Sequence, residues 1–114
     1  MTLNIRTKSY NKAIEIYKKV KALCISANWP HHLQMIRAAA SIVANIAEGE
    51  GRFRGQPTPD AARFASIARG SVHELAAWLQ IAVIDGEITE QQYAEILPQL
   101  DELSKMLYAL GHKT

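Results

Sequence analysis

The chain has 114 residues, nearly half of them hydrophobic, with a formal net charge of +2. That length and composition suit one domain with a real core and leave no room for a second. No basic segment leads into an apolar one at the start, and no apolar run approaches the roughly 18 residues that suggest a membrane span, so a soluble, cytoplasmic protein with no membrane partner is expected.

Glycine and proline divide the chain at Trp29-Pro30, at Gly49 to Pro59 and at Asp85-Gly86. Each of the four pieces carries helical periodicity, and no alternating strand pattern of useful length occurs. In the first, Tyr10, Ala13, Ile16, Tyr17, Val20, Leu23, Cys24 and Ala27 recur at threes and fours, which predicts an amphipathic helix over residues 8–27. Cys24, the single cysteine, has no internal disulfide partner and is expected to pack as a small hydrophobe in a reducing compartment. Lys21 projects onto the same apolar arc and is expected to snorkel.

The second helix is predicted over residues 31–49. Its apolar residues Leu33, Met35, Ile36, Ala39, Ala40, Ile42, Val43, Ala44, Ile46 and Ala47 cover an arc of about 200°, where one packing surface needs roughly 100°. The helix is therefore expected to touch more than its own bundle. Gln34, Arg37, Ser41, Asn45 and Glu48 fill the narrow remaining arc. The glycines of "GEGRFRG", Gly49 to Gly55, read as a helix stop and a loop, since no strand precedes them and no phosphate-binding lysine and threonine follow.

The third helix, predicted over residues 59–85, opens with Thr58 placed to cap, Pro59 at the first helical position and Asp60 against the positive end of the dipole. Phe64, Ile67, Ala68, Ser71, Leu75, Trp78, Leu79 and Ala82 are its predicted inner stripe, with Glu74 at the border. The fourth, over residues 89–110, opens on a capping-box pair, Thr89 and Gln92, and continues with Tyr93, Ile96, Leu100, Leu103, Leu107 and Leu110. Pro98 inside it is expected to introduce a kink. Together the four predict an all-α, up-down antiparallel four-helix bundle spanning the chain.

Catalytic chemistry finds little purchase. A di-iron bundle needs paired Glu-x-x-His motifs, and no histidine follows a glutamate at that spacing. His31 and His32 fall at a helix start and His73 on an exposed arc, the ordinary pattern of surface histidines. Ser41 and Ser71 are expected to bond backbone or pack against a neighbouring helix. No catalytic residue, metal or cofactor is expected.

Two groups of residues remain. Arg37, Ser41, Asn45, Glu48 and Glu74 are expected to form a structural polar network that fixes helix register and subunit orientation, with a ligand site as the alternative reading. Glu74 would pair with Arg37 and accept from Asn45 across the bundle, because buried charges need partners. Lys12, Lys18 and Lys19, with Arg52, Phe53 and Arg54, form a candidate surface for nucleic acid or another partner. In the loop, two guanidiniums flank an aromatic that could stack on a base. Residues 1–63 balance at +6 and residues 64–114 at −4. A binding module would offer the basic half to phosphates, a self-assembling structural protein would set it against the acidic half of the next copy, and a solvated helix face is the third reading.

Several segments resemble the bacterial four-helix bundle proteins, also called the 23S rRNA intervening-sequence protein family. They are Ile36-Arg37-Ala38-Ala39, "SIVANIAEGEGR" from Ser41 to Arg52, "RFASIARGSVHEL" from Arg63 to Leu75, "GEITEQQYAEI" from Gly86 and "KMLYAL" from Lys105. The sequence departs from the usual pattern at Ala38, where a second arginine is common, at Val43, where proline is common, and at Trp78 and Pro98. The resemblance implies an up-down bundle and a homo-oligomer, a pentamer in relatives. Related accessory proteins of diversity-generating retroelements bind a reverse transcriptase and nucleic acid. By that resemblance RNA, DNA or a nucleic-acid-handling protein is an expected partner.

Overall fold

The computed structural model describes residues 7–56 and 58–112. Four helices account for most of them: α1 (Lys8–Ala22), α2 (His32–Gly51), α3 (Pro59–Ile84) and α4 (Glu90–Gly111). Each helix packs on the one before it, α4 closes back onto α1, and among the described residues the backbones of the diagonal pairs do not approach closely. The start of α1 meets the end of α2 through a hydrogen bond from Thr7 Oγ1 to Glu50 Oε1. At the other end the α1–α2 connection is tied to the α3–α4 turn, with Ser26 N donating to Glu87 Oε1 at 2.8 Å and Trp29 Nε1 to Asp85 Oδ2 at 2.9 Å. The topology is the expected up-down bundle.

Local chemistry sets the helix starts. Thr7 accepts from Tyr10 N, Thr58 accepts from Ala61 N with Pro59 following, and Thr89 and Gln92 form the full reciprocal capping box. Thr58 also donates to Arg52 O at 3.0 Å, which pins the α2–α3 loop. Gly86 takes φ of 77°, a left-handed conformation that follows the end of α3 and suits glycine. The core is aliphatic: Ile16, Val20, Met35, Ile42, Leu75, Leu79, Leu100, Leu103 and Leu107 are fully buried. Each contributes about 1.5–3 kcal/mol through removal of apolar surface from water.

The structure departs from the sequence reading in four places. First, α1 stops at Ala22, five residues short of the predicted end. Leu23 is extended, with φ of −68° and ψ of 124°, so that Leu23, Ile25 and Trp29 fold back onto the core. Cys24, beyond the helix end, is exposed where a packed thiol was expected, and Lys21 is exposed on the last turn of α1.

Second, α2 runs through Gly49 to Gly51 where a helix stop was predicted. Gly49 is buried against α3, and a Cβ there would lie 3.2 Å from Phe64 Cβ and 3.3 Å from Ala61 O. Its role is close approach of two helices.

Third, Ile67 of α3 is 42% exposed instead of inward, and Phe64 and Trp78 are half-buried; Ala65 and Val72 take the inner positions. Small residues there let α2 and α3 form the most extensive interface of the bundle. Fourth, Leu110, at the end of the predicted α4 stripe, is 40% exposed.

Candidate functional site

The predicted polar network does not form. Asn45 Nδ2 donates within its own helix, to Ser41 O at 2.9 Å and Ser41 Oγ at 3.0 Å. Ser41 reaches α3 instead, sharing a hydrogen bond of 2.9 Å with Ser71 Oγ. Glu74 is exposed and accepts from Trp78 Nε1 at 3.2 Å, one turn along α3. Arg37 is exposed on α2 and makes no ion pair among the described residues. Glu48 binds Arg52 at 3.2 Å. Ser71 faces inward as predicted, and Glu74, about 60° from it around α3, falls just outside the buried stripe.

The proposed basic surface is also rearranged. Lys12 pairs with Glu102 of α4 at 3.1 Å and Lys19 with Glu15 at 3.6 Å. Arg52 is held by Glu48 at 3.2 Å and Asp60 at 3.3 Å, and its guanidinium lies 5.1 Å from the Phe64 ring centroid. Arg63 covers the same ring at 4.8 Å. The aromatic between two guanidiniums is thus Phe64, with Phe53 left 52% exposed beside Arg54. Of the six proposed residues, Lys18, Phe53 and Arg54 remain outside these pairings. Lys18 stands about 16 Å further along the α1 axis than Thr7, which adjoins the end of α2, so the lysines and the loop are separate patches.

The concavities of the bundle include one at an end and one between two helices. An apolar one of about 610 Å³ lies at the end of the bundle where α1 starts, bordered by Ile46, Gly49, Phe53, Ala62, Leu107 and Leu110. The other, about 300 Å³, is polar and lies between α3 and α4, lined by Ser66, Arg69, Gly70, His73, Tyr108 and His112.

In the polar pocket Arg69 Nε donates to Ser104 Oγ at 3.2 Å, and His73 Nε2 is 3.1 Å from the same oxygen. With Arg69 donating to one lone pair of Ser104 Oγ, the hydroxyl can donate to His73 Nε2 or accept from it, according to the imidazole tautomer. The Arg69 guanidinium is 5.0 Å from the Tyr108 ring centroid, and Tyr108 stacks on His112 at 3.9 Å. His112 Nδ1 bonds Tyr108 O at 2.7 Å. A carbonyl only accepts, so Nδ1 carries that proton and Nε2 is left free.

Sequence reasoning missed this group, apart from placing His73 on an exposed arc. Ser104 lies 31 residues from His73 and 35 from Arg69, and its alignment with them depends on how α3 and α4 rotate against each other. A weak signal was present: Arg69 and His73 are four apart, as are Ser104, Tyr108 and His112, so each set shares one helix face.

At the opposite end His31 stacks on Trp78 at 5.1 Å and meets Trp29 edge-on at 5.3 Å. No group of three or more histidine, cysteine or carboxylate side chains suited to a metal occurs among the described residues. None of the described helices is long and apolar enough to cross a membrane.

Known proteins show the same architecture. The chain is similar to a crystal structure of a protein of unknown function from the S23 ribosomal protein family of Bacteroides thetaiotaomicron. The two share 24% identity and a TM-score of 0.78, over 91% of this chain and 98% of that one. At that identity the likeness bears on the fold. The chain matches no curated protein. The family model described as 23S rRNA-intervening sequence protein matches residues 1–109, nearly the whole bundle. The chain belongs to the 23S rRNA-intervening sequence protein family.

Proposed function

We propose that the protein is a non-enzymatic, self-assembling bundle that serves as an adaptor, with copies joined through the outer face of α2 and basic side chains offered to nucleic acid or to a protein that handles it. The observation that carries this reading is the unpartnered half of the α2 apolar arc. Met35, Ala38, Ala39, Ile42 and Ile46 are buried in the bundle, whereas Leu33 is 54% exposed, Ala40 and Ala44 are exposed, and Ile36, Val43 and Ala47 are half-buried.

The face continues onto α1. Lys12 marks the α1 edge that faces α4, so the opposite edge, with Tyr10, Ile14 and Tyr17, borders α2. A contiguous apolar surface of this kind, rich in alanine and so open to close approach, fits another copy of the chain. The family resemblance implies five copies.

Assembly multiplies weak sites. Lys18 and Arg54 are exposed outside the ion pairs of the bundle. One copy carries +2, and a ring repeats each patch, so phosphate contacts add through counterion release. The test is a salt titration of RNA and DNA binding to the assembled protein. Binding should weaken steeply as salt rises, with the log–log slope reduced in a Lys18→Ala/Arg54→Ala variant. If neither nucleic acid binds at low salt, the adaptor half of the proposal falls and a structural self-assembling protein is what stands.

A further inference from the structure

We propose that the pocket between α3 and α4, built by Arg69, His73, Ser104 and His112 around Gly70, binds a phosphate group, either as inorganic phosphate or as a phosphomonoester. This does not rest on the assembly or nucleic-acid readings, because the site is complete within one chain and is distinct from Lys18 and Arg54.

The first observation is the state of Arg69. Arg52 and Arg63 both lie against carboxylates, while Arg69 makes no ion pair among the described residues. It is held by neutral groups, the Ser104 hydroxyl at Nε and the Tyr108 ring on its face. Those contacts fix the direction of the guanidinium and leave its two terminal nitrogens without a carboxylate. A planar guanidinium held in place with its terminal fork free is suited to bidentate contact with phosphate oxygens.

The second observation is the charge of the lining. Residues 64–114 carry an excess of acid, −4, yet none of their carboxylates lines the pocket. Glu74 turns to Trp78 and Glu102 to Lys12. Asp101, one turn before Ser104 and Lys105 on α4, stays outside the lining. What does line it is an arginine, two imidazoles and the Ser66 hydroxyl, with Ser104 beneath. The His73–Ser104 pair does not favour nucleophilic chemistry: Arg69 donates to the serine oxygen and draws on its lone pair, whereas activation requires a base oriented by a third group. The Arg69 terminal nitrogens and the Ser66 hydroxyl donate to an anion directly, while His112, whose Nδ1 proton goes to Tyr108 O, donates through Nε2 only as the imidazolium.

The third observation is Gly70. It sits in the middle of α3, where glycine costs about 1 kcal/mol relative to alanine, and a Cβ there would meet nothing within 4 Å. The position borders the concavity, so its missing side chain keeps the pocket open. The volume of about 300 Å³ holds one phosphate and part of the group that carries it.

The experiment titrates the full chain with inorganic phosphate at fixed pH and constant ionic strength balanced with chloride, following the four histidine rings by NMR. His73 and His112 should shift saturably, and His31 and His32, at the far end of the bundle, should not. Gly70→Leu fills the pocket without removing a polar group and improves helix propensity, so it should keep the fold and weaken binding at least tenfold. Arg69→Ala should do the same, and Arg63→Ala should bind as the parent does. Methyl phosphate distinguishes the sources: binding comparable to phosphate identifies a phosphomonoester site, and binding of inorganic phosphate alone identifies a free-ion site. Shifts common to all four histidines, the absence of saturation with both probes, or a folded Gly70→Leu variant that binds as tightly as the parent would each overturn the proposal.

Discussion

Ser41 of α2 and Ser71 of α3 share a hydrogen bond of 2.9 Å, and Asn45 closes onto Ser41 from one turn below. This small chain is the polar element inside the largest helix interface of the bundle, and it contains no charge. Ser71 is buried and Ser41 half-buried, so each hydroxyl is satisfied by the other where water has little access. Removing one strands its partner, although a helical serine can turn to its own backbone and recover part of the loss. Ser41→Ala and Ser71→Ala should each cost about 1 kcal/mol. The double variant should cost less than the sum, with coupling of about 0.5–1.5 kcal/mol in urea unfolding. Strict additivity would show that the two hydroxyls do not interact.

Asn45 gives a contrasting expectation. Its amide donates to the Ser41 carbonyl and hydroxyl, both of which have other partners, and no charged group depends on it. Asn45→Leu should therefore change stability by under about 1 kcal/mol, since no buried partner is left unpaired. A loss of several kcal/mol in thermal or urea unfolding would restore the cross-bundle network that the Arg37–Glu74 reading required.

Gly49 should be far less tolerant than its sequence context suggests. Alanine improves helix propensity by about 1 kcal/mol. The added Cβ, however, meets Phe64 Cβ at 3.2 Å and the Ala61 carbonyl at 3.3 Å. Neither is the far end of a flexible side chain, so α2 and α3 must separate, at a cost of about 1–3 kcal/mol for overpacking. Gly49→Ala should thus lower the melting temperature and Gly51→Ala, whose Cβ meets nothing within 4 Å, should not. Equal melting of the two variants would contradict the close-packing role.

The capping box at Thr89 is a prediction of sequence chemistry alone. Thr89 Oγ1 accepts from Gln92 N at 3.0 Å and Gln92 Oε1 accepts from Thr89 N at 2.9 Å. Thr89→Ala should destabilise the bundle by about 1 kcal/mol and Thr89→Ser by much less, read from chemical denaturation. Indistinguishable variants would show that the α3–α4 turn, held also by Trp29 and Asp85, sets the start of α4 by itself.

Much of the fold was legible because its signals are local. Thr58-Pro59, Thr89 with Gln92 and Asp85-Gly86 act through contacts a few residues apart, and they placed α3 and α4 to within a residue or two. The end of α1 was not legible. Leu23 and Cys24 continue the helical period, but Trp29 and Ile25 gain more by folding onto the core than α1 gains from another turn. Gly49 was misread for a related reason: in sequence a helix stop and a close helix crossing look alike. The polar sites failed on rotation. Glu74 was placed at the border of the α3 inner stripe, and a modest turn of α3 exposes it, while Ser71 stays inward as predicted. Arg69, His73 and Ser104 meet through the same degree of freedom, which no local pattern encodes.

The central claim is that the exposed arc of α2 joins copies of the chain, and light scattering at micromolar concentration tests it most directly. The parent should show a mass five times the 12.7 kDa of one chain. An Ala40→Glu/Ala44→Glu variant, altered at positions exposed in the single bundle, should keep its helical circular dichroism and fall to the mass of one chain. A parent with the mass of one chain, or a folded double variant that assembles as the parent does, would contradict the account.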